Sequence, residues 1–174
     1  RVSPPISLIL GTWADAYVDG LTATRYVGDS DGLDATAGVN RWIGLFATAT
    51  RRAVEDATDF EGRIDALRAA WRGRLGRVRA DSATDRLLEA LPGIPVLTVE
   101  SASDRIGRTY QATNEAVRRL VAHDVLRQTT LGRRNRAFEA PEVIAAFTDF
   151  ERRLASPVAD TSVAPPNRPV PRRR

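Results

Sequence analysis

With 174 residues, 43% of them hydrophobic, the chain has material for one medium domain or two small ones. It contains no Cys, which excludes disulfides, thiol catalysis and Cys-ligated zinc, and its single histidine, His123, is too few for a His-rich metal site. The formal net charge is +4, every basic residue being Arg, and no apolar run reaches the length that spans a bilayer.

Divided by segment, the charge changes its meaning. Residues 1–80 and 81–155 are each close to balanced, and most of the excess falls in the tail, where Arg168 and Arg172 to Arg174 face only Asp160. Within the middle segment, residues 101–138 hold 8 Arg against 3 acids. That local excess is the charge feature that points to a polyanionic partner. The first ten residues lack the long apolar region of a signal peptide, so a cytoplasmic protein without membrane contact is the expectation. The chain begins at Arg1 and contains no Met, which leads us to expect a segment of a longer protein.

In chain order, Pro4 and Pro5 open an apolar stretch over residues 3–10, and residues 14–26 suit a short amphipathic helix with Tyr17 and Leu21 on one side. A loop follows at Gly28 to Gly32. Asp29, Asp31 and Asp34 lack the following Glu of a calcium loop, so they read as solvated. Apolar positions at Val39, Trp42, Ile43, Phe46, Ala53, Val54 and Ala57 predict a helix over residues 34–59. Phe60, Ile64, Leu67, Trp71, Leu75 and Val78 predict a second, weakened by Gly73 and Gly76. The stripes around Trp42 and Trp71 have too few partners within residues 1–80 to be covered, so apolar side chains should be exposed there.

From residue 81 the grammar changes. A short helix through Leu87, Leu88 and Leu91 stops at Pro92-Gly93, and residues 94–99 suit a brief strand. Ser101 and Asp104 could cap a helix ending at Ile106, Gly107 makes a turn, and Thr109 caps a second helix running to His123. Residues 125–129 and 136–139 then read as two strands around a loop containing Gly132. Pro141 starts a closing helix through Val143, Ile144, Phe147, Phe150 and Leu154. The tail from Ser156 is rich in Pro and Arg and is expected to be disordered.

This succession resembles a winged helix-turn-helix, carried by Asp104-Arg-Ile-Gly-Arg-Thr-Tyr-Gln-Ala-Thr-Asn-Glu-Ala-Val-Arg-Arg-Leu and by Leu131-Gly-Arg-Arg-Asn-Arg. The resemblance implies duplex DNA binding, with Tyr110, Gln111, Thr113, Asn114 and Arg118 facing the groove, Arg133, Arg134 and Arg136 on the wing, and Val117, Leu120 and Val121 holding the helix to its core. The first half, in Pro4-Pro-Ile-Ser-Leu-Ile-Leu, Asp15-Ala-Tyr-Val-Asp-Gly-Leu and Asn40-Arg-Trp-Ile-Gly-Leu-Phe, looks like the part of bacterial Fic proteins that follows their catalytic motif. Together the two resemblances cover about residues 3–155.

The implied fold is mainly α: a helical Fic remainder over residues 1–80, a winged helix over 81–155 with a small β-hairpin, and a tail over 156–174. A piece from Ala83 to Phe150 is expected to fold alone. The implied activity is that of a Fic/DOC-type adenylyltransferase, which moves AMP from ATP to a protein hydroxyl with the help of Mg. The H-P-F-x-D-G-N-G-R motif of that chemistry is not in this sequence, and His123, followed by Asp124 and Val125, does not fit it. ATP and Mg therefore belong to the parent protein and its upstream Fic core, and this chain alone is expected to transfer nothing and to hold no cofactor. Tyr17 is a nucleotide-proximal candidate by resemblance and a packing aromatic by its helical spacing. Two other readings of the winged helix stay open: a protein-docking or dimerisation element, and a stand-alone transcriptional regulator.

Overall fold

A computed structural model describes residues 3–131, 135–158, 164–167 and 169–170. The elements are α1 (Ile6–Thr12), α2 (Ala14–Ala23), α3 (Leu33–Leu75), α4 (Ala83–Ala90), a 3-10 turn (Leu91–Gly93), β1 (Val96–Thr98), α5 (Val99–Ile106), α6 (Tyr110–Ala122), β2 (Arg127–Leu131), β3 (Asn135–Glu139) and α7 (Pro141–Ala155). The chain is mainly α with one three-stranded antiparallel sheet in the order β1-β3-β2. It divides into two compact units, one of Arg1–Glu61 with Thr148–Arg174, the other of Gly62–Phe147.

The two helices expected between residues 34 and 78 are one. No breaker stands at Asp59-Phe60, and Phe60 continues the buried spacing of Ala53, Ala57 and Ile64, so α3 runs unbroken through them. It ends after Leu75 because Gly76 takes the left-handed conformation at φ +67°, which a residue without Cβ adopts at little cost. Gly73 is tolerated inside the helix. The second helix stops earlier than expected, at Ala23, where Thr24 bonds back to the Leu21 carbonyl through both its N–H and its hydroxyl.

In the first unit, Ile9, Ala49, Ala53, Phe60, Leu154 and Ala155 are buried, and the Phe60 and Phe150 rings lie 4.7 Å apart. The small side chains of α3 allow close helix contact: an added Cβ at Gly38 would fall 1.9 Å from the carbonyl oxygen of Ala23 on α2. The Thr12 hydroxyl donates to the Leu154 carbonyl at 2.7 Å. The disorder expected of the tail does not extend to its described residues. Ser156 is fully buried, and Asn167 donates from its backbone to the Ala155 carbonyl at 2.9 Å and from its side chain to the Thr12 carbonyl at 3.3 Å. Pro residues leave few free N–H groups, so a few side-chain bonds suffice to hold such a segment. Arg168 and Arg172 to Arg174 lie outside the described residues.

Arg52 organises the same region. Its guanidinium donates to the carbonyls of Arg153 at 2.9 Å, Ser156 at 2.6 Å and Pro157 at 2.9 Å, satisfying groups at the C-terminal end of α7, and it lies over the Trp13 ring at 5.3 Å. Asp56, 4% exposed, stands beside it at 3.5 Å and receives Arg153 at 3.4 Å. Burial pushes the Asp56 carboxyl above its usual range, although both Arg residues pull the other way. A raised folded pKa means that stability is greatest below the unfolded value of about 4 and declines as pH rises through the folded value. Asp56→Asn should therefore remove a loss of stability on going from acid to neutral pH. Thermal melts of wild type and variant across that range check it, and parallel pH profiles would refute it.

The expected exposure of apolar side chains is seen for part of α3: Ile43 and Phe46 are 57% and 45% exposed, and Val39 and Val54 also face outward. Trp71 departs from that expectation. It is completely buried, because it and Leu75 belong to the core of the second unit.

That core joins Trp71 and Leu75 to Leu87, Leu88 and Leu91 of α4 and its 3-10 turn, to Ala102 and Ile106 of α5, and to Val117 and Leu120 of α6. Phe138 of β3 and Val143 of α7 close it. A boundary at residue 80 thus falls inside this unit, and a piece starting at Ala83 omits Trp71 and Leu75 from its core. The Trp71 indole N–H donates to the Glu142 carboxylate at 2.5 Å, which also receives Arg74, so the end of α3 and the start of α7 share one polar contact.

A candidate nucleic-acid interface

Three caps set the helices of the second unit. Ser82 caps α4 by accepting from the Asp85 N–H, and Thr109 caps α6 by accepting from the Ala112 N–H at 3.3 Å. Thr98 caps α5 through a reciprocal pair with Ser101, which places the helix start earlier than a Ser101 cap would and takes Val99 out of the strand. Between α5 and α6, Gly107 at φ +62° lets the chain turn, and the Ser103 hydroxyl donates to the Arg108 carbonyl at 2.7 Å. The result is helix, tight turn, helix, followed by the β2-β3 hairpin, with β1 pairing β3 at Leu97↔Phe138. This is the order of elements that the sequence led us to expect, a mainly α unit with a small antiparallel sheet.

Salt bridges fix the turn. Asp81, itself at φ +59°, receives Arg86 at 2.6 Å from α4 and Arg108 at 2.7 Å from just beyond Gly107. Asp85 receives Arg72 of α3 at 2.7 Å, and the other arm of Arg72 reaches Glu89. The hydrogen bond from Arg86 holds the Asp81 carboxyl below its usual range, and that from Arg72 does the same for Asp85. A depressed folded pKa gives stability that is present above the unfolded value of about 4 and lost as pH falls through the folded value. Acid should therefore loosen this unit, the direction opposite to that of Asp56. Replacing Asp81 and Asp85 together by Asn should flatten its acid dependence. An unchanged slope of hydrogen-exchange protection against pH in α4 to α6 would contradict this.

α6 presents its sequence candidates unevenly. At about 100° per residue, Tyr110, Asn114, Arg118 and Gln111 fall within one arc of about 100°. Tyr110 is 58% exposed, Gln111 and Arg118 are exposed, and Asn114 is half-buried. Thr113 is a correction: it lies on the opposite face with Ala116, Val117 and Leu120, has no exposed surface, and cannot face a groove. Its hydroxyl is short enough to sit among apolar neighbours, although it finds no hydrogen-bond partner in the described structure. Val117 and Leu120 hold the helix to the core as expected from their spacing, with Val121 packed partly against it.

The excess of Arg over residues 101–138 resolves into different roles. Arg108 is spent on Asp81, Arg127 pairs with Glu139 directly across the hairpin, and Arg119 donates to the carbonyls of Leu75, the last residue of α3, and of Arg77 just after it. Arg133 and Arg134 lie outside the described residues. Arg105, Arg118 and Arg136 remain exposed, with no ion-pair partner among the described residues. Arg105 and the exposed Glu115 were not legible as site residues from spacing alone; the signal for each is its place on an outward helix face.

His123 caps α6 at its C-terminal end, its Nδ1 lying 2.9 Å from the Arg119 carbonyl oxygen, which requires a proton on that nitrogen. In the first unit, Tyr17 packs edge-on against Trp42 with ring centroids 5.3 Å apart, the geometry of a packing aromatic. Among the described residues no group of three or more His, Cys, Asp or Glu is placed to hold a metal ion, and no helix is long and apolar enough to cross a membrane. A comparison with protein-family models matches none of them, and a comparison with curated proteins likewise finds no match.

Proposed function

We propose that the second unit binds duplex DNA, α6 entering the major groove and the hairpin contacting the backbone. The observation that carries this is the division of labour on α6: the residues turned inward hold the core, while Tyr110, Gln111, Asn114 and Arg118 face outward with no ion pair to occupy the Arg. A helix capped by Thr109 and held to the core by Val117 and Leu120, with an unengaged polar stripe, is suited to reading base edges. Arg105 on α5 and Arg136 on the wing supply unpaired positive charge for phosphates, and Arg133 and Arg134 extend it in sequence.

The test is a gel-shift titration of the full chain on random duplex at two salt concentrations. Each neutralised phosphate contributes a slope of about -0.9 in log affinity against log salt. Replacing Arg105 and Arg136 by Ala should lower that slope by up to roughly two units and weaken all sequences alike. Salt-independent binding, or none near micromolar protein, would favour a docking or dimerisation role. The proposal extends to the parent: a Fic-type AMP-transferase whose winged helix addresses it to DNA, a cytoplasmic protein using ATP and Mg upstream of this chain. That extension rests on the resemblance of the first half alone. An upstream reading frame without the H-P-F-x-D-G-N-G-R pattern would remove it and leave a winged-helix regulator.

A further inference from the structure

The outward face of α6 contains one residue that a simple phosphate-binding helix would avoid. Glu115 follows Asn114, is exposed, and continues the arc of Tyr110, Asn114, Arg118 and Gln111 to about 140°. Arg118 stands three residues on, the spacing at which a Glu and an Arg on a helix commonly pair. Neither residue has an ion-pair partner among the described residues. The next basic residue, Arg119, is committed to the Leu75 and Arg77 carbonyls and is not available to neutralise it.

A bare carboxylate on a helix facing DNA is repelled by every phosphate, so it weakens binding to all sequences unless a base donates to it. The major groove offers two exocyclic amines. Adenine sets its N6 amine beside the N7 acceptor, which repels an acceptor-only carboxylate, whereas the cytosine N4 amine is a donor with no acceptor of its own base beside it. Asn and Gln, which both donate and accept, match adenine, and Arg matches guanine. The stripe thus carries groups complementary to three different bases, and Glu115 is the only one of them that is acceptor-only.

We propose that Glu115 is a specificity-determining residue that accepts a hydrogen bond from cytosine N4 in the bound duplex, and that it excludes other bases at that position through its charge. This rests on the DNA-binding reading of α6. Being exposed and outside the core, Glu115 can be replaced without disturbing the fold.

The experiment enriches a preferred duplex from a random pool with the full 174-residue chain. Wild type, Glu115→Ala and Glu115→Gln are then titrated on that duplex, on single base-pair variants of it, and on random duplex. The expected result is a C·G pair at which wild type discriminates by about 5- to 150-fold, the range of a good base-edge contact. Glu115→Ala should abolish discrimination at that pair only while raising affinity for random duplex. Glu115→Gln should shift the preference there toward A·T. A uniform gain in affinity for every sequence, with all preferences intact, would show that Glu115 only repels phosphate and would overturn the proposal. Failure of the wild type itself to bind any duplex would overturn the DNA-binding reading, and this one with it, a result distinct from the former because it precedes any variant.

Discussion

Trp71→Ala should destabilise the Gly62–Phe147 unit by about 3–5 kcal/mol, the cost of deleting a large aromatic from a closed core. Trp71 has no exposed surface and shares its core with Leu75, Leu87, Leu88 and Leu120, so the cavity has no solvent to fill it and three secondary-structure elements would have to collapse to close it. Total stabilities are about 5–15 kcal/mol, so the variant would be marginal at ordinary temperature. Trp71→Phe separates packing from hydrogen bonding. It keeps most of the ring and loses the donor to Glu142, which retains Arg74, so a cost of about 1.5–3 kcal/mol is expected for a bond to a charged group. Denaturant melts combined with hydrogen exchange in α4 to α6 provide the measurement. A Trp71→Ala protein that melts like the wild type would show that the end of α3 is not part of this core. The same reasoning makes a piece beginning at Ala83 less stable than one beginning at Gly62.

Gly38→Ala poses a contest between two effects of known sign. Inside a helix, Ala is favoured over Gly by about 0.8–1 kcal/mol, so the substitution should stabilise α3 taken by itself. The added Cβ, however, would lie 1.9 Å from the carbonyl oxygen and 2.8 Å from the carbonyl carbon of Ala23. These are backbone atoms and cannot rotate away, so α2 must move off α3. Overpacking of this kind costs about 1–3 kcal/mol and more when backbone has to shift, which exceeds the propensity gain. The net result should be a lower melting temperature for the first unit and faster hydrogen exchange in Ala14–Ala23. Gly44 is the internal control. It lies in the same helix with nothing within 4 Å of an added Cβ, so Gly44→Ala should stabilise by up to about 1 kcal/mol. If both substitutions stabilise equally, the close approach at Gly38 does not exist in solution.

In the second unit the acids Asp81, Asp85 and Glu139 each hold an Arg that would otherwise join the surface excess. Within residues 101–138 this leaves Arg105, Arg118 and Arg136 as the described cations without an ion pair, and Arg77 and Arg79 stand exposed in the same unit. A charge count over residues 101–138 therefore exceeds the number of unpaired cations, and under the proposed function the salt slope should reflect the unpaired residues rather than all eight.

The amino-acid sequence by itself determined the local grammar of this protein. Thr109, the Gly107 turn and the spacing of Val117 and Leu120 define a capped helix behind a tight turn, and Pro141 marks the start of α7, because capping, left-handed turns and helical periodicity depend on neighbours within a few residues. Tertiary structure decided what those local rules leave degenerate. The pattern through Asp59 and Phe60 fits two helices or one, and in the single helix Phe60 is buried against Phe150, far along the chain. Thr113 and Asn114 are both polar and adjacent, yet a 100° step puts the first in the core and the second on the outer arc. Trp71 belongs with residues far along the chain, since burial of a large ring is settled by whichever long-range surfaces close over it. The tail's composition argues for disorder, but the Ser156 hydroxyl donates to the Ala164 carbonyl and the Asn167 side chain to the Thr12 carbonyl, partners that composition cannot reveal. The division of the Arg residues between structure and surface likewise follows from which acids and carbonyls the fold brings within reach, a property of distance in space and not of distance along the chain.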